Sequence, residues 1–287
     1  MRILVTGASS AIGRRVCIQA TGRGHEVVRF ARKASDGDVT FQLGARLRPG
    51  DLAGADAVLH LAWDWAAPPN SYLRVNVDGS RRLLDSCAEA GALPVLLSTF
   101  TAFSQSRSQY GDAKRALEFD FQSAGGGAVR AGLIWGESLS GMVATVAKLA
   151  RISKGCPHLV PDPVVFHSEV GSLSGALIDY LAARPSDTPV KLGAHDAPVR
   201  LSEISHAVRA STAGPHVRIP VALVRGTART FESVGVSLPF RADSLAGGLA
   251  PGDVGRSSIG DRFIQGFPDS REFLGWLRNP SHRVGAW

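Results

Sequence analysis

The sequence has few cysteines and no long apolar run, and each absence narrows what the protein can be. Its three cysteines, Cys17, Cys87 and Cys156, are widely spaced and form no Cys-x-x-Cys pair. Neither a disulfide framework nor a zinc site is therefore expected. No segment approaches the roughly 20 apolar residues that span a bilayer, and the apolar run behind Arg2 is too short for a secretory signal. These absences predict a cytoplasmic protein without a membrane segment.

Lysine is also scarce. Only five of the 32 basic residues are lysines, and the net charge of +7 therefore comes mainly from arginine. No basic run exceeds two or three residues, and no stripe interleaves aromatic side chains with arginine, as a nucleic-acid surface would. We expect this charge to attract small anionic molecules and predict no nucleic-acid partner.

The first thirteen residues carry the most informative motif. The apolar run Ile3–Val5 ends in Thr6-Gly7, and an amphipathic segment opens at Ile12-Gly13. This order predicts a strand, a tight glycine turn and a helix capped by Ser9 or Ser10. Such a turn directs backbone N–H groups and a helix N-terminus at an anion, most often the pyrophosphate of a dinucleotide.

Strand and helix signals alternate through the first half of the chain. Six apolar runs predict strands, at residues 3–5, 26–30, 39–43, 57–61, 95–98 and 128–135. Alternation with helical segments implies parallel pairing through right-handed crossovers, and nearly continuous apolar strands indicate helices on both faces. The sequence therefore predicts an α/β fold with a doubly wound parallel sheet.

The pattern loosens after Gly136. A helix at 142–152, an extended proline-rich stretch at 157–166, helices at 170–181 and 201–208, and a strand at 190–192 are predicted. We expect residues 1–136 to form a dinucleotide-binding core. Residues 137–287 would form a smaller substrate-binding region that partly returns to the core sheet and caps its strand ends, where ligands bind in such sheets.

A tyrosine and a lysine four residues apart suggest proton transfer. The segment Tyr110-Gly-Asp-Ala-Lys114 places both side chains on one face of a helix. A nearby ammonium lowers the pKa of a phenol, which can then exchange a proton with a substrate hydroxyl or carbonyl. The alternative is a surface pair without a role, and the glycine loop favours the catalytic interpretation.

The glycine loop, His60-Leu61-Ala62, Asn76-Val-Asp-Gly79 and Tyr110-x-x-x-Lys114 occur in this order. As a set they resemble the short-chain dehydrogenase/reductase superfamily, in particular its extended branch, the NAD(P)-dependent epimerase/dehydratase group. The resemblance is good over residues 1–136 and looser to about 210. It implies a Rossmann-like fold and an NAD(P)-dependent oxidoreductase or epimerase/dehydratase. Such an enzyme would act on a hydroxyl or carbonyl carbon of a sugar-like or other small molecule.

The resemblance also implies residue roles. Tyr110 would be the catalytic acid/base, Lys114 would hold the ribose hydroxyls and lower the pKa of Tyr110, and Asn76 would help to set the lysine. The residues implied to bind the cofactor are Gly7, Ser9, Ser10, Ile12, Gly13, Arg14, Arg32, Leu61, Ala62 and Lys114. His60 is expected instead to be a strand-end histidine with satisfied hydrogen bonds.

Two positions near the reacting groups depart from the pattern of the branch. Ser10 stands where a glycine is usual, and its small side chain should fit. Phe100 stands where a serine or threonine usually bonds the reacting oxygen, a loss that would cost about 10²–10³ in rate unless Thr99 or Thr101 replaces it. Phe100 therefore keeps an alternative open: a non-catalytic NADP(H)-binding sensor or assembly protein on the same fold.

A third departure concerns the substrate. Sugar-nucleotide members often carry an arginine just before a segment like Val164-Val-Phe-His167, where this chain has Pro163. The missing arginine weakens the case for a nucleotide-sugar substrate without excluding such a substrate. Candidate lining residues, for which packing is the alternative, are Trp63, Asp64, Trp65, Trp135 and His167.

Arginines at the end of the second strand favour NADP(H) over NAD(H). The chain reads Arg29-Phe-Ala-Arg32 there, without an acid at the strand end, and Arg14 follows Gly13 directly. An acid at this place normally accepts the ribose hydroxyls of NAD, whereas an arginine accommodates the 2′-phosphate of NADP. The alternative is a set of solvated charges, because acidic residues follow a few positions later.

The oligomeric state stays open. Members of the family often dimerise through the helices that flank Asn76 and Tyr110. Leu83, Leu84 and Phe121 are the candidates for such a homodimer interface.

Overall fold

A computed structural model provides the structure of the chain. The residues that it describes are 1–33, 35, 37–45, 47–48, 50–68, 70–103, 108–137, 143–144, 156–184, 190–209, 216–220, 222 and 262–279. The chain forms two compact units that interleave in sequence. The first unit comprises Met1–Ser98, Ala113–Arg130 and Leu173–Lys191. The second unit comprises Thr99–Asp112, Ala131–Ser172 and Leu192–Trp287.

A seven-stranded sheet organises the first unit. Its strands are β1 (Arg2–Thr6), β2 (Glu26–Ala31), β3 (Val39–Thr40), β4 (Ala57–His60), β5 (Leu93–Thr99), β6 (Gly127–Ala131) and β11 (Val190–Gly193). They lie in the order β11-β6-β5-β4-β1-β2-β3, and the pairs from β5 to β3 are parallel. The buried apolar strands β1 and β4 sit at its centre. The predicted α/β fold with a parallel sheet is confirmed.

Within the described residues, four helices accompany these strands. They are α1 (Ala11–Gly22), α2 (Gly79–Ala90), α3 (Gln109–Ser123) and α4 (Val170–Ala183). A π-helical turn, Arg74–Asp78, leads into α2, which ends at Gly91 in the left-handed conformation, with φ of 67°. That conformation suits glycine, which has no Cβ.

The described part of the second unit contains short strand pairs and two helices whose bounds are defined. Its strands are β7 (Leu133–Trp135), β8 (Cys156–Val160), β9 (Val164–Val165), β10 (His167–Glu169), β12 (Val199–Arg200) and β13 (His216–Pro220). They pair as β7 with β10, β9 with β12 and β8 with β13. The helices are α5 (Leu201–Arg209) and α6 (Ser270–Arg278). Trp135, Ile204 and Phe273 belong to their shared apolar core.

The single strand that the sequence predicts at 128–135 is wrong, because the chain breaks it at Gly132. A Cβ at Gly132 would lie 2.4 Å from the carbonyl oxygen of Phe166, so only glycine permits this close approach. The Gly132 N–H donates to Ser168 Oγ at 2.9 Å. The chain therefore leaves the large sheet after β6 and pairs β7 with β10.

The candidate residues for a homodimer interface are buried within the chain. Leu83, Leu84 and Phe121 are only 2%, 8% and 0% exposed, because they pack into the core of the first unit. The expectation that they form a homodimer interface is therefore wrong.

Of the predicted helix at 142–152, Val143 and Ala144 are helical and the rest lies outside the described residues. No helix in the described part of the chain is long and apolar enough to cross a membrane.

Candidate functional site

The glycine loop begins where β1 ends. Gly7 has φ of 71°, and a Cβ there would lie 2.9 Å from Ala62 N and 3.1 Å from the carbonyl carbon of Leu61. A Cβ at Gly13 would lie 2.3 Å from Gly7 O. Side chains at either position would fill the space through which the backbone of the loop passes. The structure thus brings Gly7, Gly13, Leu61 and Ala62 together, as the resemblance implies.

Ser10 closes the loop and caps α1. Its Oγ accepts from Gly13 N at 3.0 Å and donates to Gly7 O at 2.8 Å. Arg14 folds back on the same loop and donates from Nη1 to Ser9 O at 2.6 Å. Ser9 and Ser10 are exposed, whereas the side chain of Ile12 is buried, so Ile12 presents only its backbone N–H to a ligand. This exposed helix N-terminus fits a pyrophosphate.

Each arginine at the end of β2 lies close to a carboxylate. Arg29 Nε is 3.3 Å from Asp38 Oδ1, and Arg32 Nη1 is 3.7 Å from Asp64 Oδ1. The side chain of Arg32 is 70% exposed. The basic strand end that the sequence predicts is present. The carboxylate of Asp64, from the loop after β4, lies beside Arg32 there.

His60, at the end of β4, has a structural role. Its Nδ1 is 2.7 Å from Thr6 Oγ1, its Nε2 is 2.9 Å from Ser80 Oγ, and its ring stacks on Phe121. Complete burial, with the neighbouring charge of Lys114, lowers the pKa of His60 to about 3. The expectation of a strand-end histidine with satisfied hydrogen bonds is confirmed.

Asn76 holds the loop that follows β4. Its Oδ1 accepts from Asp64 N at 2.7 Å, and its Nδ2 donates to Asp64 O at 3.1 Å. Among the described residues Asn76 makes no hydrogen bond to Lys114. It holds the backbone of this loop instead. The neighbouring residue in the loop, Trp63, is the one that contacts the lysine.

Lys114 is buried in an aromatic and carbonyl environment. Its Nζ donates to Leu97 O at 2.9 Å and lies 4.4 Å from the centroid of the Trp63 ring. Burial lowers the pKa of Lys114 to about 7, partly offset by the negative charge of Glu118. A lysine with this pKa gains and loses its charge near neutral pH.

Glu118 belongs to an ion pair that the sequence motifs do not predict. It accepts from Arg130 at 2.7 and 2.8 Å and from the Ser98 hydroxyl, and both charged side chains are almost fully buried. Glu118 lies one helical turn after Lys114. This i, i+4 spacing is the sequence signal that places the Glu118 carboxylate on the same helix face as the lysine. The ion pair fixes α3 against β5 and β6.

The two candidate threonines share one short turn. Thr99 Oγ1 accepts from Thr101 N at 3.2 Å and lies 3.1 Å from Thr101 Oγ1. The side chain between them, Phe100, stacks on Phe166 with ring centroids 4.4 Å apart. Phe100 therefore packs among aromatic rings, and both hydroxyls remain as candidates for the missing hydrogen bond.

Tyr110 is the second residue of α3. The start of the helix is fixed by buried Ser108, whose Oγ accepts from Gly111 N at 2.9 Å. Tyr110 is half-buried and precedes Lys114 by four residues.

Trp135 and His167, two of the candidate lining residues, pack in the second unit. The His167 ring stacks on Phe273 at 4.8 Å and on His195 at 5.7 Å, and its Nε2 is 3.3 Å from Ser270 Oγ. Burial lowers the pKa of His167 to about 4. For these two residues the structure supports packing.

Comparison with known proteins gives consistent matches. Residues 3–123 match the model of the NAD dependent epimerase/dehydratase family. An uncharacterized protein of Mycobacterium tuberculosis is 30% identical over 202 residues, which are 68% of this chain but only 22% of that protein. This chain therefore spans about a fifth of that relative. A UDP-glucose 4-epimerase of Klebsiella pneumoniae is 30% identical over 136 residues, or 39% of this chain and 94% of the relative.

A solved structure matches over the whole length. MoeE5 in complex with UDP-glucose and NAD is 19% identical, covers 99% of both chains and superimposes with a TM-score of 0.67. At this identity the match shows the fold alone.

Proposed function

Because this chain belongs to the NAD-dependent epimerase/dehydratase family, we propose that it is an NAD(P)-dependent enzyme acting on a sugar nucleotide. The reaction would be an epimerisation, dehydration or redox conversion at a hydroxyl or carbonyl carbon. One observation carries the proposal: Lys114 is buried with a lowered pKa, one helical turn after Tyr110. Burying a lysine is costly, and such strongly perturbed groups cluster at functional sites.

The residues of the glycine loop fit a dinucleotide. The backbone of Gly7, Ser10 and Gly13 and the start of α1 would hold the pyrophosphate, and Lys114 would hold ribose hydroxyls. The bound nicotinamide would supply hydride acceptance and return. NADP(H) is favoured over NAD(H), because the mostly exposed Arg32 directly follows β2 in the sequence, where an NAD-binding protein normally carries an acid.

The protein would manage the proton. The Tyr110 phenolic oxygen would take a proton from a substrate hydroxyl or return one to a carbonyl oxygen. The ammonium of Lys114 would stabilise the phenolate. Thr99 or Thr101 would donate the hydrogen bond that the Phe100 side chain cannot make.

Cys17 and Cys87 are buried thiols outside any disulfide, which supports a reducing, cytoplasmic location.

Product analysis tests the proposal. The protein is incubated with UDP-glucose, and separately with other UDP-hexoses, in the presence of NADP⁺ or NAD⁺, and the sugar is followed by NMR. We expect one substrate to yield an epimer, a dehydrated sugar or an oxidised sugar. Tight dinucleotide binding without conversion of any sugar in the panel would contradict the proposed enzyme.

A second candidate is a non-catalytic NADP(H)-binding sensor or assembly protein. The packing of Phe100 on Phe166 favours it, since the usual hydroxyl is absent at that position. The same panel discriminates the two, because the sensor would bind dinucleotide and convert nothing.

A further inference from the structure

The ion pair between Arg32 and Asp64 joins the two strands on either side of β1. Thr6, the last residue of β1, is in register with Phe30 of β2 on one side and with His60 of β4 on the other. Arg32 and Asp64 follow these two strands by one and four residues. Two strand spacings, or about 9.6 Å, separate β2 from β4. An ion pair that joins their ends therefore spans the carboxyl end of β1, the edge at which the glycine loop begins.

The two partners are held unequally. Asp64 is fixed through its backbone by Asn76, and its Oδ1 also accepts from Ala66 N at 3.0 Å. Its side chain is 20% exposed. Arg32 is 70% exposed, and the Asp64 carboxylate is its ion-pair partner at 3.7 Å. Asp64 is therefore held in place by hydrogen bonds, whereas the exposed Arg32 side chain can reorient to bind another anion.

We propose that Asp64 determines dinucleotide specificity by competing with the 2′-phosphate of NADP(H) for Arg32. This inference rests on the proposed function, because it assumes that a dinucleotide occupies the glycine loop. A 2′-phosphate needs the guanidinium and must displace the carboxylate, whose negative charge stays nearby. The 2′-hydroxyl of NAD(H) is neutral and does not need the arginine. Asp64 therefore weakens the binding of NADP(H) more than that of NAD(H). It reduces the preference for NADP(H) that Arg32 creates.

The experiment compares the dissociation constants of NADPH and NADH, measured by nicotinamide fluorescence. Asp64→Asn removes the charge but keeps the size and the acceptor for Ala66 N. Asp38→Asn is the matched control, since it neutralises the carboxylate beside Arg29 at the same strand end. We expect Asp64→Asn to bind NADPH about three- to tenfold more tightly, somewhat beyond an exposed ion pair alone. NADH binding should stay within about twofold, and the gain should shrink in high salt.

A double variant identifies the cause. In the Arg32→Ala background, Asp64→Asn should raise the NADPH to NADH ratio by clearly less than it does in the wild type, because the competition has been removed and only the direct repulsion between the carboxylate and the 2′-phosphate is relieved. An unchanged ratio in Asp64→Asn alone, or an equal gain in the Arg32→Ala background or in Asp38→Asn, overturns the role of Asp64. Failure of the wild type to bind either dinucleotide overturns both this inference and the proposed function. Retained NADH binding shows that a variant is folded.

Discussion

The ammonium of Lys114 lies 4.4 Å above the ring of Trp63 and makes one hydrogen bond, to Leu97 O, among the described residues. A ring face and a carbonyl replace only part of the hydration that an ammonium has in water. This incomplete replacement lowers the pKa of Lys114 to about 7. The lysine that the family resemblance assigns to ribose binding therefore has a pKa near neutral pH.

The first prediction concerns stability against pH. The unfolded chain keeps Lys114 protonated up to a pKa near 10.4, whereas the folded chain releases the proton near pH 7. Between these values the unfolded state binds more protons, so this lysine makes the free energy of unfolding rise with pH. Relative to Lys114→Met, the wild type should gain about 1–3 kcal/mol between pH 7 and 9.

Urea denaturation at several pH values measures this difference. The exposed Lys33 provides the control, because Lys33→Met should follow the wild type at every pH. Parallel curves for Lys114→Met and the wild type would show that the lysine titrates as it does in water.

The second prediction separates the two threonines. Thr99 Oγ1 already accepts from Thr101 N, which caps the short turn, whereas the Thr101 hydroxyl contacts only Thr99 among the described residues. The Thr101 hydroxyl is therefore the better donor for a reacting oxygen. We expect Thr101→Val to lower kcat by about 10²–10³, with dinucleotide affinity retained.

Thr99→Val is the companion variant. It should lower the free energy of unfolding by about 0.5–2 kcal/mol, the usual cost of a lost cap, and keep most of kcat. The reverse assignment of the two effects would place the catalytic hydroxyl on Thr99.

The third prediction tests the glycine loop. Gly13→Ala would place a Cβ 2.3 Å from Gly7 O, so the loop must move. Overpacking of this kind costs about 1–3 kcal/mol, and NADPH affinity should fall at least about tenfold if the moved loop no longer fits the pyrophosphate. Isothermal titration calorimetry measures the change. Gly22→Ala, where a Cβ meets nothing within 4 Å, should bind as the wild type does.

Local patterns predicted most of the first unit. The apolar runs gave β1, β2 and β4 within one residue at each end, and Ser10 caps α1 as its residue type and position indicate. These features depend on residues that are close in the sequence, and they can therefore be predicted from one sequence.

Long-range features could not be read in this way. The break at Gly132 depends on the close approach of Phe166. The pairing of Arg32 with Asp64 depends on which strands flank β1. Leu83 and Phe121 resembled interface residues because apolar spacing marks a buried face without saying what buries it.

Replacement of Tyr110 tests the central claim most directly. With the substrate that the panel identifies, Tyr110→Phe should lower kcat by at least about 10²-fold, the usual minimum for a lost general acid or base. Its NADPH dissociation constant should stay within about twofold of the wild type. Tyr180→Phe, which removes a buried hydroxyl from the core, should keep kcat. Undiminished turnover by Tyr110→Phe would contradict the assignment of this residue as the acid/base.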